Sequence, residues 1–214
     1  MTPPRAILFD WDNTLIDGWA AIEAGLNAAF AAFGKPAWTR EQVLANVRKS
    51  LRDSFPEHFG DQWERARDIF YGAVEATHLE VIRPLPETLA MLDAAAHLPL
   101  SVVSNKQGAL LRAEAVHLGW EARFQALIGA GDAIADKPSA APLLLALNRM
   151  GLRAGPEIWY VGDTSIDMQA ARAAGCTAVL LGDAAHDGGI TNCAADMSFA
   201  HGHALAQGLR ALDK

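Results

Sequence analysis

The sequence predicts an α/β protein: a mostly parallel sheet with helices on both faces, interrupted after its first strand by an all-helical insert. Three observations carry this. Short apolar runs at 6–9, 98–103, 126–129, 158–161 and 177–181 alternate with stretches of helical periodicity, and that alternation demands crossover connections between parallel strands. Residues 17–85 contain helical spacing only. Finally, several of the apolar runs end in polar residues, and in open α/β sheets ligands bind where strands finish.

The first run, Ala6-Ile7-Leu8-Phe9, is continuous enough for a strand buried on both faces and stops at Asp10-Trp11-Asp12-Asn13-Thr14. Beyond Asp17-Gly18 the period changes. Trp19, Ile22, Leu26, Phe30 and Phe33 recur at spacings of three and four, with Glu23 and Asn27 off that stripe, and Gly34 ends the helix. Thr39-Arg40-Glu41-Gln42 reads as a capping box opening a second helix with Val43, Leu44 and Val47 inward. A third, starting near Asp61, carries Trp63, Ala66, Phe70 and Val74. Arg83-Pro84-Leu85-Pro86 stiffens the exit, because each proline fixes φ and removes a donor. This places a catalytic core at 1–16 and 86–214 and the helical insert at 17–85.

A helix over 87–97 leads to the second strand, which ends in Ser104-Asn105-Lys106. The helix 107–118 turns Leu110, Leu111, Ala115 and Leu118 to one face and stops at Gly119. After the strand 126–129, a polar loop reaches Asp136-Lys137-Pro138 and a helix through Leu143, Leu144, Leu147 and Met150. The strand 158–161 runs into Gly162-Asp163, a helix covers 165–174, a strand 177–181, and a helix at 203–212 closes the pattern.

Composition narrows the function. At 214 residues, 51% hydrophobic and 20% charged, the chain has the means to bury a sizeable core. A net charge of −7 argues against nucleic acid, whose phosphates are bound by basic stripes. The stretch 18–83 nearly balances, with eight Lys/Arg against nine Asp/Glu, so the remainder carries −6. An acidic body is what metal-binding carboxylates produce, and surface solubility produces it too. No apolar run approaches the ~18 residues of a membrane span, and the N-terminal residues lack a signal-peptide pattern, so no membrane partner and a cytoplasmic location are expected. Cys176 and Cys193 form no disulfide framework. His201 and His203 have the spacing of a metal pair without an evident third ligand, and read as surface residues.

The chemistry concentrates at four strand tips or loops. Asp10 and Asp12 are paired carboxylates, one suited to attack phosphorus and the other to handle protons. Ser104 offers a hydroxyl and nearby backbone N–H groups to a phosphate oxygen, although Ser104-Asn105 equally suits a helix N-cap. Lys137 can neutralise a phosphate and a nucleophilic carboxylate together. Asp163 and Asp167 stand one helical turn apart beside Gly162, a pattern that also suits an acidic helix N-terminus.

Taken in this order, Asp10/Asp12, Ser104, Lys137 and Gly162-Asp163 with Asp167 resemble the four motifs of the haloacid dehalogenase superfamily. The similarity spans essentially the whole chain. Ser104-Asn105-Lys106, Asp136-Lys137-Pro138 and Tyr160-Val161-Gly162-Asp163-Thr164 look like its phosphoglycolate phosphatase-like branch, and the insert like that branch's helical cap. The resemblance implies a Rossmann-like core, Mg²⁺, and hydrolysis of a small phosphorylated metabolite by a monomer or homodimer. It implies Asp10 as nucleophile, Asp12 as acid and base, and Ser104 and Lys137 as phosphate-holding catalytic residues. Asp10, Asp12 through its backbone carbonyl, Asp163 and, further out, Asp167 are implied at the metal, with Thr14 and Asn105 near the substrate. In the cap, the basic cluster Arg48, Lys49 and Arg52 is a candidate grip for a second anionic group and equally a solvated helix face. Two positions depart from the family pattern: Ala140 replaces a second proline after Lys137, and Glu87 follows Pro86 where glycine is usual. A dehalogenase would not need Asp12 or the Asp163/Asp167 pair. A sugar phosphomutase keeps all four motifs, and a non-catalytic phosphate-sensing module would not need Asp10 and Asp12 intact.

Overall fold

The computed structural model describes residues 3–47 and 51–212, with the side chains of residues 51–53 outside that description. The chain divides into two compact units, Met1–Asp17 with Arg83–Lys214, and Gly18–Ile82.

The first unit is organised on a six-stranded parallel sheet of order β3-β2-β1-β4-β5-β6. The strands are β1 (Ala6–Phe9), β2 (Leu100–Gln107), β3 (Ala126–Ala130), β4 (Ile158–Gly162), β5 (Thr177–Leu181) and β6 (Met197–Phe199). β1 lies between β2 and β4, with Phe9 paired to Val102 on one side and to Val161 on the other. The crossover direction reverses at that point, so the crevice beyond the end of β1 is where such a sheet accepts a ligand. This register sets Asp10 and Asp163 at the ends of adjacent strands, with Ser104 inside β2, two residues past the partner of Phe9.

Both faces of the sheet are buried. Leu8, Val103, Ile128, Tyr160 and Leu180 pack in one cluster with Leu143, Ala146 and Leu147 of the helix Ala141–Arg149 and Met168 and Ala171 of the helix Ser165–Ala174. Strand residues of the opposite parity, Ile7, Phe9, Val102, Trp159 and Val179, are buried as well. Two elements of this unit were not expected. β6 pairs with β5 over three residues only, too short for alternation to register, and a four-residue helix occupies Ile190–Cys193.

The second unit is helical: α1 (Trp19–Ala32), α2 (Arg40–Asn46), α3 (Leu51–Phe59) and α4 (Trp63–Val81). Thr39 and Gln42 form the expected capping box. Asn27, off the apolar stripe of α1, donates to Trp38 O and accepts from Trp38 N, pinning the loop before α2. At Gly25, α1 and α4 come so close that a Cβ would lie 2.7 Å from the Phe70 ring. The sequence reading omits α3, which carries Pro56 within it, a residue unfavourable inside a helix. Phe55 and Phe59, one turn apart, are buried there with their rings tilted against each other at 5.0 Å, and that burial holds the helix despite the proline. Among the described residues, no helix is long and apolar enough to cross a membrane.

Candidate active site

After β1 the chain folds into a tight turn in which Trp11 O accepts from Leu15 N at 2.9 Å and Ile16 N at 3.1 Å. Asn13 takes the left-handed conformation (φ 63°) that this turn needs and that asparagine tolerates. The result is a sharp divergence of two neighbouring acids. Asp10 is buried, its N–H bonded to Val161 O at 2.8 Å, whereas the Asp12 side chain keeps 23% exposure.

Asp10 belongs to a buried network around Lys137. The lysine Nζ donates to Asp10 Oδ1 at 2.7 Å, Asp167 Oδ1 at 2.7 Å and the Tyr160 hydroxyl at 2.9 Å. Tyr160 in turn donates to Val103 O at 2.7 Å. All three ammonium protons are thereby directed, and the lysine is held firmly charged: burial pulls its pKa down, but the two carboxylates outweigh that. Burial is also the main reason that Asp10 is pushed up to about 7, with Asp167 and Asp163 adding to it and Lys137 opposing. Asp167 lies below the ordinary carboxylate range, because its bonds to Lys137 and Thr164 overcome its burial.

Asp163 follows β4, and Gly162 before it is required by close approach: a Cβ there would overlap the Asp167 side chain. Asp163 Oδ1 accepts from Thr14 Oγ1 at 3.2 Å. Its Oδ2 is buried 3.1 Å from His186 Nε2, close enough for an ion pair but without the alignment of a hydrogen bond. Burial raises the Asp163 pKa, and its pairing raises that of His186, which burial opposes.

Carboxylate oxygens of Asp10, Asp163 and Asp167 lie within 4.8 Å of one another. Three buried acids face one lysine, with His186 beside Asp163, so that if all three ionise the excess is two negative charges with His186 neutral and one with it protonated. Hard oxygen donors with that excess suit a divalent cation such as Mg²⁺. Both oxygens of Asp167 already accept hydrogen bonds, Oδ1 from Lys137 and Oδ2 from Thr164 N and Oγ1, whereas Asp163 Oδ2 accepts none and faces His186.

Asp12 enters a second network. Its Oδ1 accepts from Lys106 Nζ at 2.8 Å, and the same ammonium meets both oxygens of Glu114 at 2.8 and 2.7 Å. Trp11 Nε1 donates to Glu114 Oε2 at 2.6 Å.

The remaining expected residues fall as follows. Ser104 is buried in β2, its hydroxyl accepting from Lys106 N at 3.2 Å. Asn105, expected beside the substrate, uses its amide on the Lys137 backbone: Nδ2 donates to Lys137 O at 3.0 Å, and Oδ1 accepts from Lys137 N at 2.9 Å. Thr14, also expected there, is turned to Asp163. Arg48 and Lys49 lie outside the described residues, as does the side chain of Arg52 on α3. His201 and His203 are exposed, with ring centres 6.3 Å apart.

Sequence reasoning passed over Tyr160, Lys106, Glu114, Trp11 and His186. For Glu114 a signal existed, since it falls on the apolar stripe of its helix, three residues after Leu111 and four before Leu118. Tyr160 had none beyond its parity in a buried strand.

The profile of the haloacid dehalogenase-like hydrolases matches residues 7–181. The chain is similar to phosphoglycolate phosphatase of Pectobacterium atrosepticum, 33% identical over 190 residues covering 84% of this chain and 80% of that one. It is similar to the protein of the same name in Xanthomonas campestris pv. campestris, 35% identical over 184 residues and covering 82% of each. In three dimensions it superimposes on a haloacid dehalogenase-like hydrolase of Streptococcus pneumoniae with a TM-score of 0.84 over 100% of both chains, at 23% identity, a likeness of fold. With its four motifs assembled at the strand ends, the chain belongs to the haloacid dehalogenase-like hydrolases, in the phosphatase branch that resembles phosphoglycolate phosphatase.

Proposed function

We propose that the protein hydrolyses a small phosphate monoester with Mg²⁺ through an aspartyl phosphate on Asp10, and that a short phosphorylated acid of the phosphoglycolate kind is its substrate class. The carrying observation is the placement of Asp10: a buried carboxylate at the switch point of the sheet, 2.7 Å from the Lys137 ammonium and grouped with Asp163 and Asp167. The substrate class is taken from the named relatives, two of which carry that activity in their names.

Asp10 and Asp163, with the backbone carbonyl of Asp12, are the groups to hold the metal; Asp167 acts through Lys137 and Thr164. When bound, the ion supplies positive charge beside the phosphoryl oxygens. Uncatalysed monoester hydrolysis is slow enough that enzymes accelerate it by up to about 10²¹-fold, so electrostatic stabilisation must be large. Asp10 Oδ attacks phosphorus in line as the bond to the leaving oxygen breaks, and that oxygen takes its electron pair and a proton from Asp12. Asp12, now a carboxylate, takes a proton from water as the water attacks phosphorus, releasing phosphate and restoring Asp10. Lys137 opposes the rise in the Asp10 pKa and aims its carboxylate, and donates to a phosphoryl oxygen by exchanging one of its three present partners. Ser104 is the second phosphate-holding group.

The test is phosphate release from a panel of phosphorylated acids, sugars and nucleotides with Mg²⁺, 2-phosphoglycolate among them. Asp10→Asn should abolish release from every member and from a generic aryl phosphate. Turnover by that variant at the wild-type rate sinks the reading. Isomer formation from a sugar phosphate without net phosphate release identifies a phosphomutase instead.

A further inference from the structure

The second network does not belong to the metal cluster and has no part in holding Asp10. Lys106 is nearly buried, its side chain 9% exposed, and Glu114 is 1% exposed. Burying such a pair is costly unless the geometry is good and the remaining lone pairs are met. Here they are. Glu114 accepts from Lys106 on both oxygens and from the Trp11 indole on one. Trp11 is itself fully buried, its ring packed edge-on against Trp120 at 5.9 Å and Phe124 at 6.5 Å. The anchor therefore runs from a rigid aromatic cluster through Glu114 to an ammonium with one direction left, and that direction is Asp12 Oδ1 at 2.8 Å. Ser104 Oγ accepts from Lys106 N and Asn105 is tied to the Lys137 backbone, so the backbone from which Lys106 projects is braced as well.

A solvated carboxylate three residues beyond a strand samples several rotamers. Fixing one oxygen leaves the other to face the reacting group. We propose that Lys106, backed by Glu114 and Trp11, is a positioning residue that clamps Oδ1 of Asp12 and so presents Oδ2 to the leaving oxygen. This rests on the reading of Asp12 as the proton donor given above. The clamp acts on the first half of the reaction, in which the bond from phosphorus to the leaving oxygen breaks and that oxygen, keeping the electron pair, takes the proton held on Asp12 Oδ2. Lys106 itself touches neither substrate nor phosphorus.

A proton donor matters most when the leaving group is poor. An alkyl alkoxide needs the proton as the bond breaks; a nitrophenolate hardly does. The experiment compares kcat/KM, which reports the step that expels the leaving group, for a series of alkyl and aryl phosphate monoesters with Mg²⁺, in wild type, Lys106→Met and Asp12→Asn. Lys106→Met should lose about 100-fold on alkyl esters, the scale of an angstrom-sized misplacement, and no more than about 10-fold on p-nitrophenyl phosphate. Glu114→Gln, which keeps the size and an acceptor for Trp11, should show the same bias more weakly, and it decides the matter should Lys106→Met fail to fold. Equal losses across the series in the Lys106 and Glu114 variants, while Asp12→Asn shows the bias, overturn the clamp and leave the Asp12 reading standing. Absence of the bias in Asp12→Asn overturns the reading of Asp12 itself.

Discussion

Replacing Tyr160 by phenylalanine removes one oxygen atom from the middle of the Lys137 network and leaves the ring in place. That oxygen donates to Val103 O at 2.7 Å and accepts from Lys137 Nζ at 2.9 Å, and the residue is fully buried, so no water stands ready to replace it. The first loss strands a buried carbonyl, at about 1–3 kcal/mol; the second removes a hydrogen bond to a charged group, worth about 1.5–3 kcal/mol. The two share one atom and do not add fully, so the expected loss of stability is about 2–4 kcal/mol. For a domain of this size that corresponds to a fall in melting temperature of about 4–16 °C. Lys137 keeps both acids but loses the fixed third point of its tripod, so kcat should drop by up to about 100-fold with little change in KM. Urea unfolding of both proteins, read with a common slope, gives the first quantity, and phosphate release gives the second. A stability change under about 0.5 kcal/mol together with unaltered kcat would show that the hydroxyl neither satisfies Val103 nor steadies Lys137.

The metal-free protein should lose stability as pH rises from about 4 to 7. Asp10 has a folded pKa near 7 against 3.8 for the free side chain, so the folded state holds the extra proton in that interval and the advantage disappears as the pH passes the folded value. Thermal scans at pH 5 and pH 8 should show this slope shrinking in Asp10→Asn, and Mg²⁺ should raise the melting temperature more at pH 8 than at pH 5; a slope unchanged in Asp10→Asn contradicts the assignment. Asp163→Asn should raise the Mg²⁺ concentration for half-maximal activity at least tenfold, since it removes the charge of one of the three grouped acids; titration of activity against Mg²⁺ reads this directly. In the helical unit, Gly25→Ala places a methyl 2.7 Å from the Phe70 ring and 2.8 Å from Val74, and overpacking of this kind costs about 1–3 kcal/mol. Proteolysis within 18–82 should accelerate accordingly.

How much of this was legible depended on whether a residue's role showed in its neighbours along the chain. Strands β1, β4 and β5 were legible because both faces are buried and the runs are apolar without a break. The edge strand β6 carries too few residues for any period, and α3 carries Pro56, whose cost is met by distant aromatic contacts that no local pattern reveals. Asp10, Lys137, Asp163 and Asp167 were singled out because each stands near the end of a strand or the start of a helix, and the fold brings their side chains together. Asn105 and Thr14 were found too, but as substrate contacts; the structure spends one on the Lys137 backbone and the other on Asp163. Tyr160 was illegible, because a buried tyrosine in a strand is ordinary, and only the fold brings its hydroxyl to a lysine 23 residues away in sequence.

The two networks also suit the different work proposed for two acids separated by a single residue. Asp10 and Asp12 leave the same strand end, and a turn through Asn13 sends them apart. Each then meets a lysine, and each lysine is shared with a buried acid: Lys137 with Asp167, Lys106 with Glu114. The buried acid holds the ammonium in place and cancels its charge, so what reaches the functional carboxylate is direction more than net field. Where the two sites differ is in the other acids. Asp163 and Asp167 crowd Asp10 with negative charge of the kind a divalent cation would balance, whereas Asp12 keeps partial exposure and is paired with Lys106. A nucleophile needs its lone pair aimed and its charge masked until phosphorus arrives; a proton carrier needs access to the leaving group and then to water. The chain supplies these two conditions with one arrangement used twice, and the number of neighbouring carboxylates decides which condition each site meets.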